Sequence, residues 1–289
     1  MVGVSYRPIS SNSACTSIVS PPDSSLTILF ADDRIVAIHK PAGLLVHRSN
    51  IDRHETRFAL QMLRDQLRRE VYPVHRLDKP TSGVLLFALD RPTCRDLSAQ
   101  FEAGRVRKRY LAIVRGHPPA EFIIDHPLAS IDDDPGGRKA PAGDAQPAVT
   151  RGRLLARTEL PVQVDRYPTS RYALVELEPV TGRRHQLRRH LKHATHPIIG
   201  DTTYGKGRHN RLFLERFGIG RLLLACTGLE FPHPHTGVPL AVHALPASDY
   251  MQVARALGWD AVAESSVTAS QGPRTIASDQ PSQSFILPV

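Results

Sequence analysis

The chain of 289 residues has only three cysteines, Cys15, Cys94 and Cys226. They are widely spaced and no CxxC pair occurs, which excludes a disulfide framework and a cysteine zinc site. Such usage fits a reducing compartment, and a cytoplasmic location is expected. No apolar run approaches the roughly 18 residues that a membrane-spanning helix requires. The N-terminus lacks the basic and apolar regions of an export signal. Internal repeats are absent. Acidic residues are the scarcer charge, 28 against 37 Lys and Arg, which leaves a formal net charge of +9. That balance points to a polyanionic partner, nucleic acid first.

What is present supports a folded domain. Hydrophobic residues make up 41% of the chain and charged residues 22%. Residues 1–24 are rich in Ser and Pro and are expected to be flexible; residues 262–289 read as a disordered tail, leaving one domain at 25–261. Thr27–Phe30 and Ile35–His39 read as two strands joined by a turn at 31–34. A helix is expected over 56–69, with Leu60, Leu63 and Leu67 on one stripe. Val84–Ala88 reads as a buried strand. Pro92–Ala103 reads as a helix stopped by Gly104. Tyr110–Val114, Tyr172–Leu177 and Leu222–Ala225 read as further strands. Thr181 is expected to cap a helix over 184–194. Gly, Pro and Asp make 132–147 a loop. Helices interrupting strands in this way give an α+β domain with a mixed sheet.

Two basic clusters stand out. Arg105, Arg107, Lys108 and Arg109 precede Tyr110, and Arg183, Arg184, Arg188, Arg189 and Lys192 crowd the expected 184–194 helix. Like charges at i and i+4 disfavour an isolated helix, so phosphate contacts are the natural reason for them. Solvated faces balanced by acids elsewhere are the alternative. His185, His190, His193 and His196 invite a metal reading, but their spacings and the absence of a nearby acid argue against it. No metal is expected.

The stretch His75-Arg76-Leu77-Asp78-Lys79-Pro80-Thr81-Ser82-Gly83 is the most informative. It places the Asp78 carboxylate between Arg76 and Lys79, just before the buried strand. Nearby cations favour the ionised form. An ionised carboxylate on a rigid turn can attack carbon or take a proton. A structural Asp at a strand entry is the alternative.

This stretch does not stand alone. Together with Ile38–Val46 (IHKPAGLLV), Lys108–Gly116 (KRYLAIVRG), Thr181–His190 (TGRRHQLRRH) and Pro197–Asp201 (PIIGD), it closely resembles the ordered motifs of RluA-type pseudouridine synthases. The resemblance covers about residues 26–258. Finer matches, such as HRSNIDRHE after Val46 and HNRLF, are to the tRNA-modifying branch whose target is the uridine at position 65. The resemblance implies the pseudouridine synthase fold, a mixed but mostly antiparallel sheet flanked by helices, with an RNA-binding cleft. It implies an isomerase with tRNA as partner, no cofactor and no membrane, working as a monomer. Asp78 would be the catalytic carboxylate at the sugar C1′. Tyr110 would stack on the target base, Arg188 would pair with Asp78, and Arg76 would enter the RNA where the nucleotide leaves. His75, Arg183, His185 and Lys108 would bind substrate. A flipped uridine is also what the chemistry demands, because C1′ is out of reach inside a duplex. The chain departs from the family at Leu224-Ala225-Cys226, where Leu-His-Ala is common. Ribosomal RNA as the substrate, a non-catalytic RNA-binding protein or RNA chaperone, and a metal-dependent hydrolase are the competing readings.

Overall fold

The computed structural model describes residues 25–48, 55–131 and 145–268, and the backbone of 285–286. The segment 1–24, most of the 132–147 loop and most of the expected tail lie outside the described residues.

The hairpin of β1 (Thr27–Ala31) and β2 (Ile35–Lys40) forms where expected. Asp32 sets its turn by accepting from the backbone N–H of Arg34 at 2.7 Å and of Ile35 at 2.8 Å, an Asx-turn. Helix α1 (Ala59–Leu67) starts later than expected. Residues 56–58 are held extended because Phe58 bridges to Leu45, and the N–H groups of Ala59 and Leu60 bond the carbonyls of Leu45 and Val46. After β3 (Tyr72–Pro73), β4 (Ser82–Ala88) is buried at every residue. This is what a continuous apolar run predicts for a strand covered on both faces. Helix α2 (Arg91–Glu102) has Asp90 as its cap, accepting from Thr93 N at 2.7 Å.

The chain continues through β5 (Arg107–Arg115), β6 (Glu121–Asp125), β7 (Leu128–Ala129), β8 (Ala145–Gln146), β9 (Val149–Leu160) and β10 (Ser170–Pro179). Helix α3 is Gln186–His193, and Thr181 does not cap it. His185 holds that position with φ 54°, while the Thr181 hydroxyl serves Val149 N and Gln186 Oε1 instead. Then come α4 (Gly207–Phe217), β11 (Leu224–Pro232), β12 (Pro239–His243), α5 (Ser248–Ala256), α6 (Asp260–Thr268) and β13 (Phe285–Ile286). The expected domain end at 261 falls inside α6. Its Ala263 and Val267 are buried, so packed chain extends past that boundary.

Among the described residues one sheet of eleven strands runs β1-β2-β4-β11-β5-β10-β9-β6-β13, with β3 on β4 and β12 on β11. Only the β4–β11 and β13–β6 pairs are parallel. The mixed, mostly antiparallel α+β architecture is therefore as expected. Strand periodicity sorts β5. Ala112 and Val114 face one core with Leu187 and Leu191 of α3. Leu111 and Ile113 face a second core closed by α4, α5 and α6. Tyr110 packs where the α3 core meets a third, built on β2 and β4.

Gly83 has φ 111° and pairs with Cys226 across the parallel β4–β11 junction. A Cβ there would lie inside the Cys226 backbone carbonyl. Strand β4 can approach β11 this closely only as glycine. Gly83→Ala should destabilise the fold by at least ~2 kcal/mol, read from the urea unfolding midpoint; an unchanged midpoint would refute the packing argument.

Candidate active site

Asp78 occupies a turn between β3 and β4, closed by Thr81 N donating to the Asp78 carbonyl at 3.0 Å. The turn is clamped from outside. The Lys79 carbonyl accepts from Gly43 N at 2.8 Å and from Lys40 Nζ at 3.2 Å. Lys40 is wholly buried, and its ammonium also donates to the carbonyls of Pro41 at 2.9 Å and Leu44 at 2.8 Å. Burial pushes its pKa down to about 7, against the pull of Asp78. The Lys-Pro-Ala-Gly segment thus fixes the height of the turn that carries Asp78.

The cation that meets Asp78 comes from α3. Arg188, its side chain only 5% exposed, donates from Nη1 to Asp78 Oδ2 at 3.3 Å. Its other nitrogens form a fork on Asp201, Nε to Oδ2 at 2.7 Å and Nη2 to Oδ1 at 2.9 Å. Asp201 also accepts from the backbone N–H groups of Thr203 and Tyr204. Burial alone would raise the pKa of Asp201, but these donors hold it below the ordinary value. The Tyr204 ring lies 5.1 Å from the Arg188 guanidinium carbon. A buried guanidinium without a partner would be strongly destabilising. Asp201 and Tyr204 fix it in place and leave one arm for Asp78.

His185 Nε2 stands 3.9 Å from the other Asp78 oxygen, and its Nδ1 lies 3.0 Å from the Tyr204 hydroxyl. Burial holds its pKa below the ordinary histidine value despite Asp78, so near neutral pH Arg188 is the charged neighbour. Of the two cations beside Asp78 in sequence, Lys79 pairs with Glu55 at 3.0 Å. Arg76 lines the cavities on both sides of Asp78.

Asp78 lies where two open cavities of about 490 Å³ and 810 Å³ meet. Either is large enough for a nucleotide. The first contains Tyr110, Lys108, Arg183 and His185 along with Asp78 and Arg188. Every expected site residue is thus in or beside one cleft, although they come from three different stretches of chain. Burial pushes the Tyr110 phenol well above its ordinary pKa, so it stays neutral. Cys226 is its cross-strand neighbour on β11. Burial pushes that thiol to about 12, so the departure from the family pattern sets a neutral thiol beneath the tyrosine. Arg183 lies at the rim, its Nε donating to the Pro147 carbonyl at 3.2 Å. His75 is in the wall: Leu86 N donates to its Nε2 at 3.0 Å, and its ring stacks on Phe101.

The first basic cluster divides by strand alternation. Lys108 points into the cleft with Tyr110. Arg107 and Arg109 face the opposite side and are neutralised there: Arg107 meets Glu178 at 2.8 Å, and Arg109 meets Glu230 at 2.7 Å. The phosphate reading of those two arginines is therefore corrected. Within the second cluster, Arg184 and Arg189 donate to the carbonyls of Ile131 and Ala129, tying α3 to the segment before the undescribed loop. His190 bonds Thr150 and His126, His193 stacks on His126, and His196 bonds the Arg115 carbonyl. Among the described residues no three His, Cys, Asp or Glu side chains gather as a metal site. No helix among them is long and apolar enough to cross a membrane.

Sequence reasoning missed the roles of Asp201, Lys40, Tyr204 and Cys226. Asp201 ends the Pro197–Asp201 segment and was the most accessible, since a buried Arg needs an acid.

Burial pushes the pKa of His75 down to about 3. Between about pH 3 and 6.5 the unfolded chain therefore binds a proton that the folded chain refuses. Stability is fully present above pH 6.5 and declines as pH falls, by up to ~1.4 kcal/mol per pH unit for one histidine. Urea unfolding across this range should show the decline, and His75→Gln should flatten it; an unaltered slope would mean that His75 is not buried neutral.

The comparisons agree with this geometry. A family model described as RNA pseudouridylate synthase matches residues 34–193. The chain is 49% identical over 234 residues to the tRNA pseudouridine synthase C of Haemophilus ducreyi, covering 81% of this chain and 96% of that protein. It is 50% identical over 235 residues to the Salmonella typhi protein of the same name, covering 81% and 90%. Among solved structures, human RNA Pseudouridylate Synthase Domain Containing 4 superposes with a TM-score of 0.62 at 28% identity, over 80% of this chain and 93% of that one. A carboxylate steadied by a buried arginine and set beside a neutral tyrosine in a nucleotide-sized cleft, on this sheet, belongs with that family: the chain is a member of the RNA pseudouridylate synthases.

Proposed function

We propose that the chain is a tRNA pseudouridine synthase that isomerises the uridine at position 65, with Asp78 as its catalytic carboxylate. The observation that carries this reading is the Arg188 bridge, which sets a buried guanidinium against the Asp78 carboxylate at the meeting point of two nucleotide-sized cavities. The names of the relatives support tRNA as the substrate.

Asp78 acts at the sugar C1′. The bond from C1′ to uracil N1 breaks with its electron pair going to the base. The freed uracil turns, and C5 bonds to C1′. C5 then loses its proton and N1 gains one. Product and substrate are isomers, so the reaction consumes no oxidant, reductant or water. Tyr110 stacks on the base as a neutral phenol. Arg76 fills the space that the flipped nucleotide leaves, offsetting part of the unstacking cost of a few kcal/mol. Lys108, Arg183, His185 and His75 form the walls and rim that receive the nucleotide. The enzyme works in the cytoplasm, as a monomer and without a metal.

Transcribed tRNA should acquire pseudouridine at one position, 65, when incubated with the wild-type protein in the presence of a chelator. Asp78→Asn should acquire none while still binding the RNA. Turnover by Asp78→Asn would remove Asp78 from its role, and modification of ribosomal RNA but not tRNA would replace the substrate.

A further inference from the structure

A second surface lies at the other end of β10. Pro179, its last residue, lines the catalytic cleft, whereas Ser170, its first, lines a separate cavity of about 460 Å³. At about 3.3 Å per residue the two are ~30 Å apart. Over the distal cavity the 161–169 turn presents Tyr167, 55% exposed. The Arg166 guanidinium carbon lies 4.7 Å from the centre of its ring.

This turn is built, not loose. Asp165 is held by Arg115 Nη2 at 3.1 Å and by His209 Nε2 at 3.1 Å. Ser170 Oγ donates to the Val162 carbonyl at 2.9 Å. These anchors leave Tyr167 outside, apart from the core clusters. Its surroundings are cationic. Arg115, Arg166 and Arg171 lie on or beside the turn, and Lys206 and Arg208 are within electrostatic reach of its anchors His209 and Asp165. Against these five cations stand the carboxylates of Asp165 and Glu159. An exposed ring with a guanidinium over it, framed by further cations, matches the chemistry that stacks an unpaired base and meets its phosphate.

We infer that the Arg166–Tyr167 turn is a second RNA-contact site, which grips an unpaired or frayed nucleotide of the same tRNA ~30 Å from the target uridine. This rests on the reading that the cleft modifies tRNA. It makes the enzyme a two-point reader: the cleft takes the uridine, and the distal turn checks that a larger RNA surrounds it.

The test compares Arg166→Ala/Tyr167→Ala with wild type on two RNAs, full-length tRNA and a hairpin of a few base pairs around the target uridine. On full-length tRNA the variant should show a Kd and KM raised roughly tenfold with kcat retained, since stacking on one aromatic is worth about that much. Its turnover of the hairpin, too short to reach the turn, should equal that of wild type. Arg166→Glu, which keeps the tyrosine, should weaken full-length tRNA alone in the same way. Unchanged binding of full-length tRNA by both variants would overturn the inference, as would equal losses on both RNAs. A protein-concentration-dependent change in oligomeric state without loss of RNA affinity would also overturn it, by making the turn a contact between copies. Failure of the wild-type protein to modify either RNA would instead remove the functional reading beneath it.

Discussion

Arg188 is buried between two carboxylates, and the active site depends on that arrangement. Its fork is committed to Asp201, which the backbone of residues 203–204 also grips. Only Nη1 remains for Asp78. A planar guanidinium can serve two carboxylates from one side chain; an ammonium on a flexible stem cannot do so with fixed geometry. The second acid neutralises the arginine and orients it, so Asp78 meets a cation already in place. Asp78 itself remains partly open to the cleft.

The sheet supplies the rest by alternation. On β5 one face carries Lys108 and Tyr110 into the cleft, and the other carries Arg107 and Arg109 to the acids of β10 and β11. The same two-residue period places Cys226 against Tyr110 across the β5–β11 pair. Cleft-facing and ion-paired positive charge are thus separated by a single residue step. The overall excess of cations says little about either function until the strand assigns each side to a face.

This explains how far the sequence could be read. The strands with continuous apolar runs, β2 and β4, were legible because burial on both faces leaves a strong signal. Strand β9 was not, since VTRGRLLARTEL mixes glycine with charges that pair across to β10. The cap of α3 was misassigned because Thr181 has the right chemistry but is committed to Val149. The meeting of Asp78, Tyr110 and Arg188 in one cleft was expected from the resemblance of their motifs. The use of the histidine-rich run in packing against His126 and Thr150 needed the fold. Lys40 was visible only as part of a motif. Its job, donating to three carbonyls, depends on contacts from Lys79 that lie 39 residues away.

The claim that Arg188 acts on Asp78, and does not merely contact phosphate, is open to one direct measurement. Single-turnover pseudouridine formation with saturating Arg188→Lys, checked for native folding, isolates the chemical step from RNA binding. The account predicts a rate lowered roughly 100-fold, the scale of losing one preorganised electrostatic partner, with the tRNA dissociation constant changed by less than about threefold. A rate close to wild type, or a loss confined to affinity, would contradict it.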